Sequence, residues 1–78
     1  MEIRWYRRAN AVTKMYVREG RSSYIQGFYR RQEDGKFFCL LFTNPYESDD
    51  CARFVVDTEA EARSQLKALY IACDAFRI

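Results

Sequence analysis

Residues 24–43 read YIQGFYRRQEDGKFFCLLFT, two strand-like runs separated by Glu33-Asp34-Gly35-Lys36. An Asp-Gly pair supplies the positive φ angles of a tight hairpin, so Tyr24 to Arg31 and Lys36 to Thr43 are predicted to pair antiparallel. In the second run, Phe37-Phe38-Cys39-Leu40-Leu41-Phe42 is apolar at both parities. A strand exposed on one side alternates, so this one is expected to be central and covered on both faces.

Working outward, Asn44-Pro45-Tyr46-Glu47-Ser48-Asp49-Asp50 reads as a loop, because Pro45 cannot donate to a sheet ladder and its neighbours bond their own backbone. Cys51 to Val56 alternates and forms the next strand. The period then changes. Thr58 and Glu61 fit a capping box, and Ala62, Leu66, Leu69, Cys73 and Phe76 recur at helical spacing, one apolar stripe facing the sheet. Glu59 and Arg63 form an i,i+4 pair beside it. On the N-terminal side, Glu19-Gly20-Arg21-Ser22-Ser23 is a turn. The first eighteen residues fit two strands, Ile3 to Arg8 and Thr13 to Arg18, although Trp5, Ala9, Val12 and Tyr16 also fall at helical spacing. The expected fold is α+β: a meander of four to five antiparallel strands with one C-terminal helix packed on one face.

The 78 residues suffice for a single domain spanning 1–78 with a thin core. Six Phe, six Tyr and one Trp compensate, each ring burying roughly 150–250 Å². No apolar run reaches membrane-spanning length and no signal segment follows Met1, so a cytoplasmic protein with three reduced thiols is expected. The absence of His removes the commonest general base and zinc ligand, and Cys39, Cys51 and Cys73 form no CxxC pair. No Gly-rich phosphate loop is present. The reading is of a protein that is not an enzyme and carries no cofactor or metal.

Charge is unevenly divided. Residues 1–31 carry eight basic side chains against two acidic, a net +6, while residues 32–78 carry five against nine, a net −4. Seven of the eight N-terminal cations are Arg, which binds phosphate or carboxylate bidentately and stacks on rings. They interleave with aromatics in Trp5-Tyr6-Arg7-Arg8 and Phe28-Tyr29-Arg30-Arg31. The candidate binding set is therefore Arg4, Tyr6, Arg7, Arg8, Tyr29, Arg30 and Arg31, with the acidic loop residues Glu47, Asp49 and Asp50 as the alternative. The two apolar faces of residues 37–42 raise a further expectation. Either the protein pairs as a symmetric homodimer, or the N-terminal segment folds over the second face with Trp5, Val12 and Met15 as a lid.

Residues 27–62 resemble the arm-binding N-terminal domain of tyrosine recombinases, on Phe28-Tyr29-Arg30-Arg31, Asp34-Gly35-Lys36, Phe54 and Asp57-Thr58-Glu59-Ala60-Glu61-Ala62. That resemblance implies a three-stranded sheet entering the DNA major groove. The chain departs from it in the acidic loop Glu47-Ser48-Asp49-Asp50, which would repel phosphate. In size and plan, though by no motif, the chain also resembles the small phage-borne inhibitors of the anti-CRISPR type. That likeness implies a non-catalytic protein that docks on a host protein or ribonucleoprotein complex handling nucleic acid and blocks it. A DNA-binding accessory protein using the basic half, and a self-associating adaptor, are the alternatives.

Overall fold

The computed structural model describes residues 2–8, 11–42 and 51–74. Five strands precede one helix: β1 (Glu2–Arg7), β2 (Val12–Glu19), β3 (Ser22–Arg31), β4 (Phe37–Phe42), β5 (Cys51–Val56) and α1 (Glu59–Asp74). The strands form one antiparallel sheet in the order β1-β2-β3-β4-β5, the meander expected. Short connections between sequential neighbours leave little loop entropy to overcome, which favours this order over any crossover.

Each described turn uses local chemistry. Gly20 (φ +60°) occupies the first loop position between Glu19 and Ser22, as a two-residue hairpin loop of type II′ requires. Gly35 (φ +86°) lies in the β3–β4 turn, where the Gly35 amide donates to the Gln32 carbonyl at 3.0 Å and the Lys36 amide donates to Asp34 Oδ1 at 2.9 Å. Between β1 and β2 the αL position is taken by Ala11 (φ 62°), while the Arg8 amide donates to the Val12 carbonyl at 2.7 Å. At the helix start the Glu61 amide donates to Thr58 Oγ1 at 3.1 Å, the N-cap half of the predicted box.

The core lies between α1 and one face of the sheet. Met15, Val17, Tyr29, Cys39, Leu41 and Val56 come from the strands, and Ala62, Leu66 and Tyr70 from the helix. The helix packs against β4 and β5. Its buried stripe is Ala62, Leu66 and Tyr70, with Leu69 half-buried at its side. Tyr70 rather than Leu69 is the third fully buried residue, so the buried stripe runs in steps of four and drifts around the helix. Phe76, also expected on the stripe, lies outside the described residues, as do Glu47, Asp49 and Asp50.

Two expectations are corrected. The N-terminal segment is not a lid: β1 and β2 extend the sheet, and Trp5 and Met15, paired across them, join the helix-side core. Nor do the described residues cover β4 on both faces: none of their elements lies over Phe38, Leu40 and Phe42, which are half-buried. Their remaining surface is shielded by neighbours within the sheet. A β-bulge sits between β2 and β3, where Met15 pairs with Gly27 but Tyr16 pairs with Ile25. Gln26 is therefore an extra residue, and its Nε2 donates to the Phe42 carbonyl of β4. The bulge flips parity along β3, so Tyr29 and Gly27 face the helix while Ile25, also odd-numbered, faces away.

Candidate functional site: the uncovered face of the sheet

The pairing register determines what the uncovered face presents. Across β1 and β2, Arg4 lies opposite Tyr16, Tyr6 opposite Lys14 and Glu2 opposite Arg18. Across β2 and β3, Lys14 lies opposite Phe28 and Val12 opposite Arg30. Across β3 and β4, Arg30 faces Phe38 and Phe28 faces Leu40; across β4 and β5, Leu40 faces Arg53 and Phe38 faces Val55. Cation and ring thus alternate as cross-strand neighbours in Arg4/Tyr16, Tyr6/Lys14, Lys14/Phe28 and Arg30/Phe38. Nearest neighbours of this kind are about 4.5–5.5 Å apart at Cβ, so the side chains form one continuous lattice.

The rings also meet each other diagonally. Tyr6 and Tyr16 pack edge to face with centroids 5.1 Å apart at 90°, and Phe28 and Phe38 lie 6.4 Å apart at 50°. Tyr6 remains 44 % exposed. Arg8 Nη2 donates to the Tyr16 hydroxyl at 3.3 Å. A shallow notch of about 220 Å³ opens among Arg4, Tyr6, Tyr16, Arg18 and Arg21.

Arg4, Lys14, Arg18, Arg30 and Arg53 supply five cations to this face. Among its described side chains the one carboxylate is Glu2, whose Oε1 accepts from Arg4 Nε at 2.7 Å. That hydrogen bond holds the Glu2 carboxyl below its ordinary range, while hydrogen bonding to Tyr6 and then to Glu2 raises Arg4 above its own. Both groups stay charged at neutral pH, and the face keeps a net positive field.

The residues singled out in the sequence divide between the two faces. Arg4, Tyr6 and Arg30 stand on the uncovered face, and Arg8 joins them through Tyr16. Arg7, Tyr29 and Arg31 belong to the helix side. Tyr29 is only 2 % exposed and is part of the core, so it offers no contact area to a partner. Its hydroxyl donates to Glu59 Oε1 at 2.6 Å and accepts from Arg63 Nε at 2.8 Å. Burial, then the bond to Glu59, pushes the Tyr29 pKa up. Arg7 Nη2 reaches the same Glu59 oxygen at 3.1 Å, and Arg63 lies over the Trp5 ring at 5.5 Å. This network ties β1 and β3 to the first turns of α1. Arg7 is therefore a clamp between edge strand and helix, beside a hollow of about 320 Å³ that Tyr29, Arg31 and Glu59 also line.

Lys14, Tyr16, Arg18, Phe28 and Phe38 were not in the binding set chosen from the sequence. A usable signal was present: Arg4-x-Tyr6-x-Arg8 and Lys14-x-Tyr16-x-Arg18 repeat one cation-ring-cation pattern at period two. That pattern places all six on one face of a two-stranded ribbon. Cys39, by contrast, is buried and its thiol is pushed up to about 11, the opposite of an activated nucleophile.

No protein-family model, curated protein or solved structure matches the chain. Among the described residues there is no cluster of three or more metal-ligating side chains, and no helix is long and apolar enough to cross a membrane.

Proposed function

We propose that the protein is a non-catalytic nucleic-acid-binding protein that works through the uncovered face of its sheet. The observation that carries this reading is the alternation of cation and ring across β1 to β4 on a face whose one described carboxylate is already bonded to Arg4. Nucleic acid alternates anionic phosphates with flat bases, and Arg and aromatic side chains are the groups that grip each. A second copy of the same face would set cation against cation, so the charge favours an anionic occupant over self-pairing.

The test is an oligonucleotide titration at rising salt. Affinity should fall with a log–log slope of about −0.7 to −0.9 per contacted phosphate. Arg4→Glu combined with Arg30→Glu should weaken binding at least about tenfold, while the melting temperature barely moves, since exposed charges rarely contribute more than about 0.5 kcal/mol. Failure of every oligonucleotide to bind at low salt would overturn the proposal.

A second reading, an inhibitor of the anti-CRISPR kind docking on a host nucleic-acid-handling complex, is favoured by the β4–β5 half of the same face. There Phe38, Leu40 and Phe42 are half-buried and Val55 is 49 % exposed, an apolar strip beside Arg53 that suits a protein surface. It predicts binding to the target complex that is lost in Val55→Asp, together with negligible affinity for free oligonucleotide.

A further inference from the structure

The uncovered face has a second property that bears on which nucleic acid it takes. Its centre is largely apolar: the outward residues of β3 and β4 whose side chains are described are Ile25, Phe28, Arg30, Phe38, Leu40 and Phe42. Among them only Arg30 can donate a hydrogen bond, and the one amide nearby, Gln26, already gives its Nε2 to the Phe42 carbonyl. The remaining cations stand outside this centre, Arg4, Lys14 and Arg18 on β1 and β2, and Arg53 on β5.

A duplex meets a protein with phosphates, sugars and the polar edges of its bases, its π-faces being hidden in the stack. Laid on this sheet, it would press polar groove edges onto Phe28, Phe38 and Leu40, which offer no hydrogen bonds in return. A sheet that reads the major groove needs donors and acceptors spread over its middle strands, and among the described outward side chains of β3 and β4 Arg30 alone supplies them. An unpaired strand is different. It can turn its bases down onto rings and its phosphates out to the flanking cations. The ring pairs Tyr6/Tyr16 and Phe28/Phe38 lie on β1–β2 and β3–β4, two strand spacings or roughly 10 Å apart. Lys14 stands between them, opposite both Tyr6 and Phe28.

Resting on the nucleic-acid reading above, we infer that the occupant of this face is a single strand, with bases stacked on Tyr6/Tyr16 and Phe28/Phe38 and phosphates held by Arg4, Lys14, Arg18 and Arg30.

Fluorescence anisotropy with labelled oligo(dT), oligo(U) and a mixed-sequence duplex of equal length tests this, using the full chain. Either single strand should bind at least about tenfold more tightly than the duplex at moderate salt. Tyr6→Ala should weaken single-strand binding roughly five- to hundredfold, the range carried by one lost base–ring stack. Tyr6→Phe, which keeps the ring, should bind nearly as wild type. Tyr6 lies on the edge strand and is 44 % exposed, so both variants should fold, and their melting temperatures check this. If the duplex bound as tightly as the single strands, or Tyr6→Ala bound as well as Tyr6→Phe, the single-strand inference would be overturned while the nucleic-acid reading stood. If no oligonucleotide bound, both would fall.

Discussion

Replacing Gly27 by Ala tests whether the β3–β4 contact is as close as the structure has it. Gly27 pairs with Leu41, and a Cβ built on it would lie 2.4 Å from the Leu40 carbonyl oxygen and 3.2 Å from Leu41 Cα. Real Cβ atoms essentially never come closer than 3.0 Å, so the two strands would have to separate by about 0.6 Å or more. Both obstructing atoms are backbone, so no side chain can rotate away to relieve the clash. Overpacking of this kind costs about 1–3 kcal/mol, and the usual strand gain of Ala over Gly, about 0.5–1 kcal/mol, offsets only part of it. A domain of this size holds roughly 4–12 kcal/mol in total. With a net cost of up to about 2.5 kcal/mol and about 4–8 °C of midpoint per kcal/mol, the melting temperature should fall, by up to roughly 20 °C. Amide hydrogen exchange should localise the damage, with protection lost first along β3 and β4 and retained longer between β1 and β2. Gly20→Ala is the contrasting control. A Cβ there meets nothing within 4 Å, so its cost comes from φ +60° alone and leaves β3–β4 protection unchanged. An unchanged melting temperature in Gly27→Ala would refute the argument, since it would mean the strands do not approach this closely.

Further outcomes follow from the core, the turns and the helix cap. Leu66→Ala should cost about 2–5 kcal/mol because Leu66 is wholly buried, whereas half-buried Leu69 should lose less when truncated; equal losses by thermal melting would contradict the packing of α1. Ala11→Gly should raise the melting temperature by a few degrees, since Ala11 sits at φ 62° and a Cβ there costs about 1 kcal/mol; a fall would show that the strain is absent. Glu59 is held below its usual 4.5, first by the hydrogen bond from Tyr29 and then by the charges of Arg63 and Arg7. A lowered carboxyl pKa stabilises the fold above its unfolded value and loses that contribution as pH falls through the folded one. Glu59→Gln should therefore be less stable than wild type at neutral pH, and the difference should shrink as pH falls below the ordinary 4.5 and through the lowered folded value. Parallel stability curves across that range would reject the network's role.

One helix can cover only one side of a five-stranded sheet, and the other side is then available for binding without any extra element. The strands closest to the helix, β4 and β5, carry much of the apolar part of that face, while β1 and β2 carry three of its five cations. A short chain thus uses the same strands twice, odd and even positions serving core and surface.

Much of the fold was legible in the residues because the signals are local. Asp34-Gly35 and Gly20 mark turns through their backbone freedom, Thr58 caps a helix through its hydroxyl, and period-two runs separate from the helical stripe of Ala62 and Leu66. Even the ambiguous N-terminal segment resolves into strands on its Arg4-x-Tyr6 and Lys14-x-Tyr16 alternation. The division of the binding candidates was not legible. Neighbours in sequence such as Tyr29 and Arg30 point to opposite faces, and which face becomes core depends on where α1 docks. Tyr29 looks like a surface aromatic beside two arginines, yet it is buried because its ring lies under the helix and its hydroxyl meets Glu59 and Arg63, more than twenty-five residues away in the chain. The bulge at Gln26 shifts parity along β3 by one residue, and no local pattern announces it. Alternation alone states that two sets of side chains part company; only long-range packing decides which set meets the helix and which faces away from it.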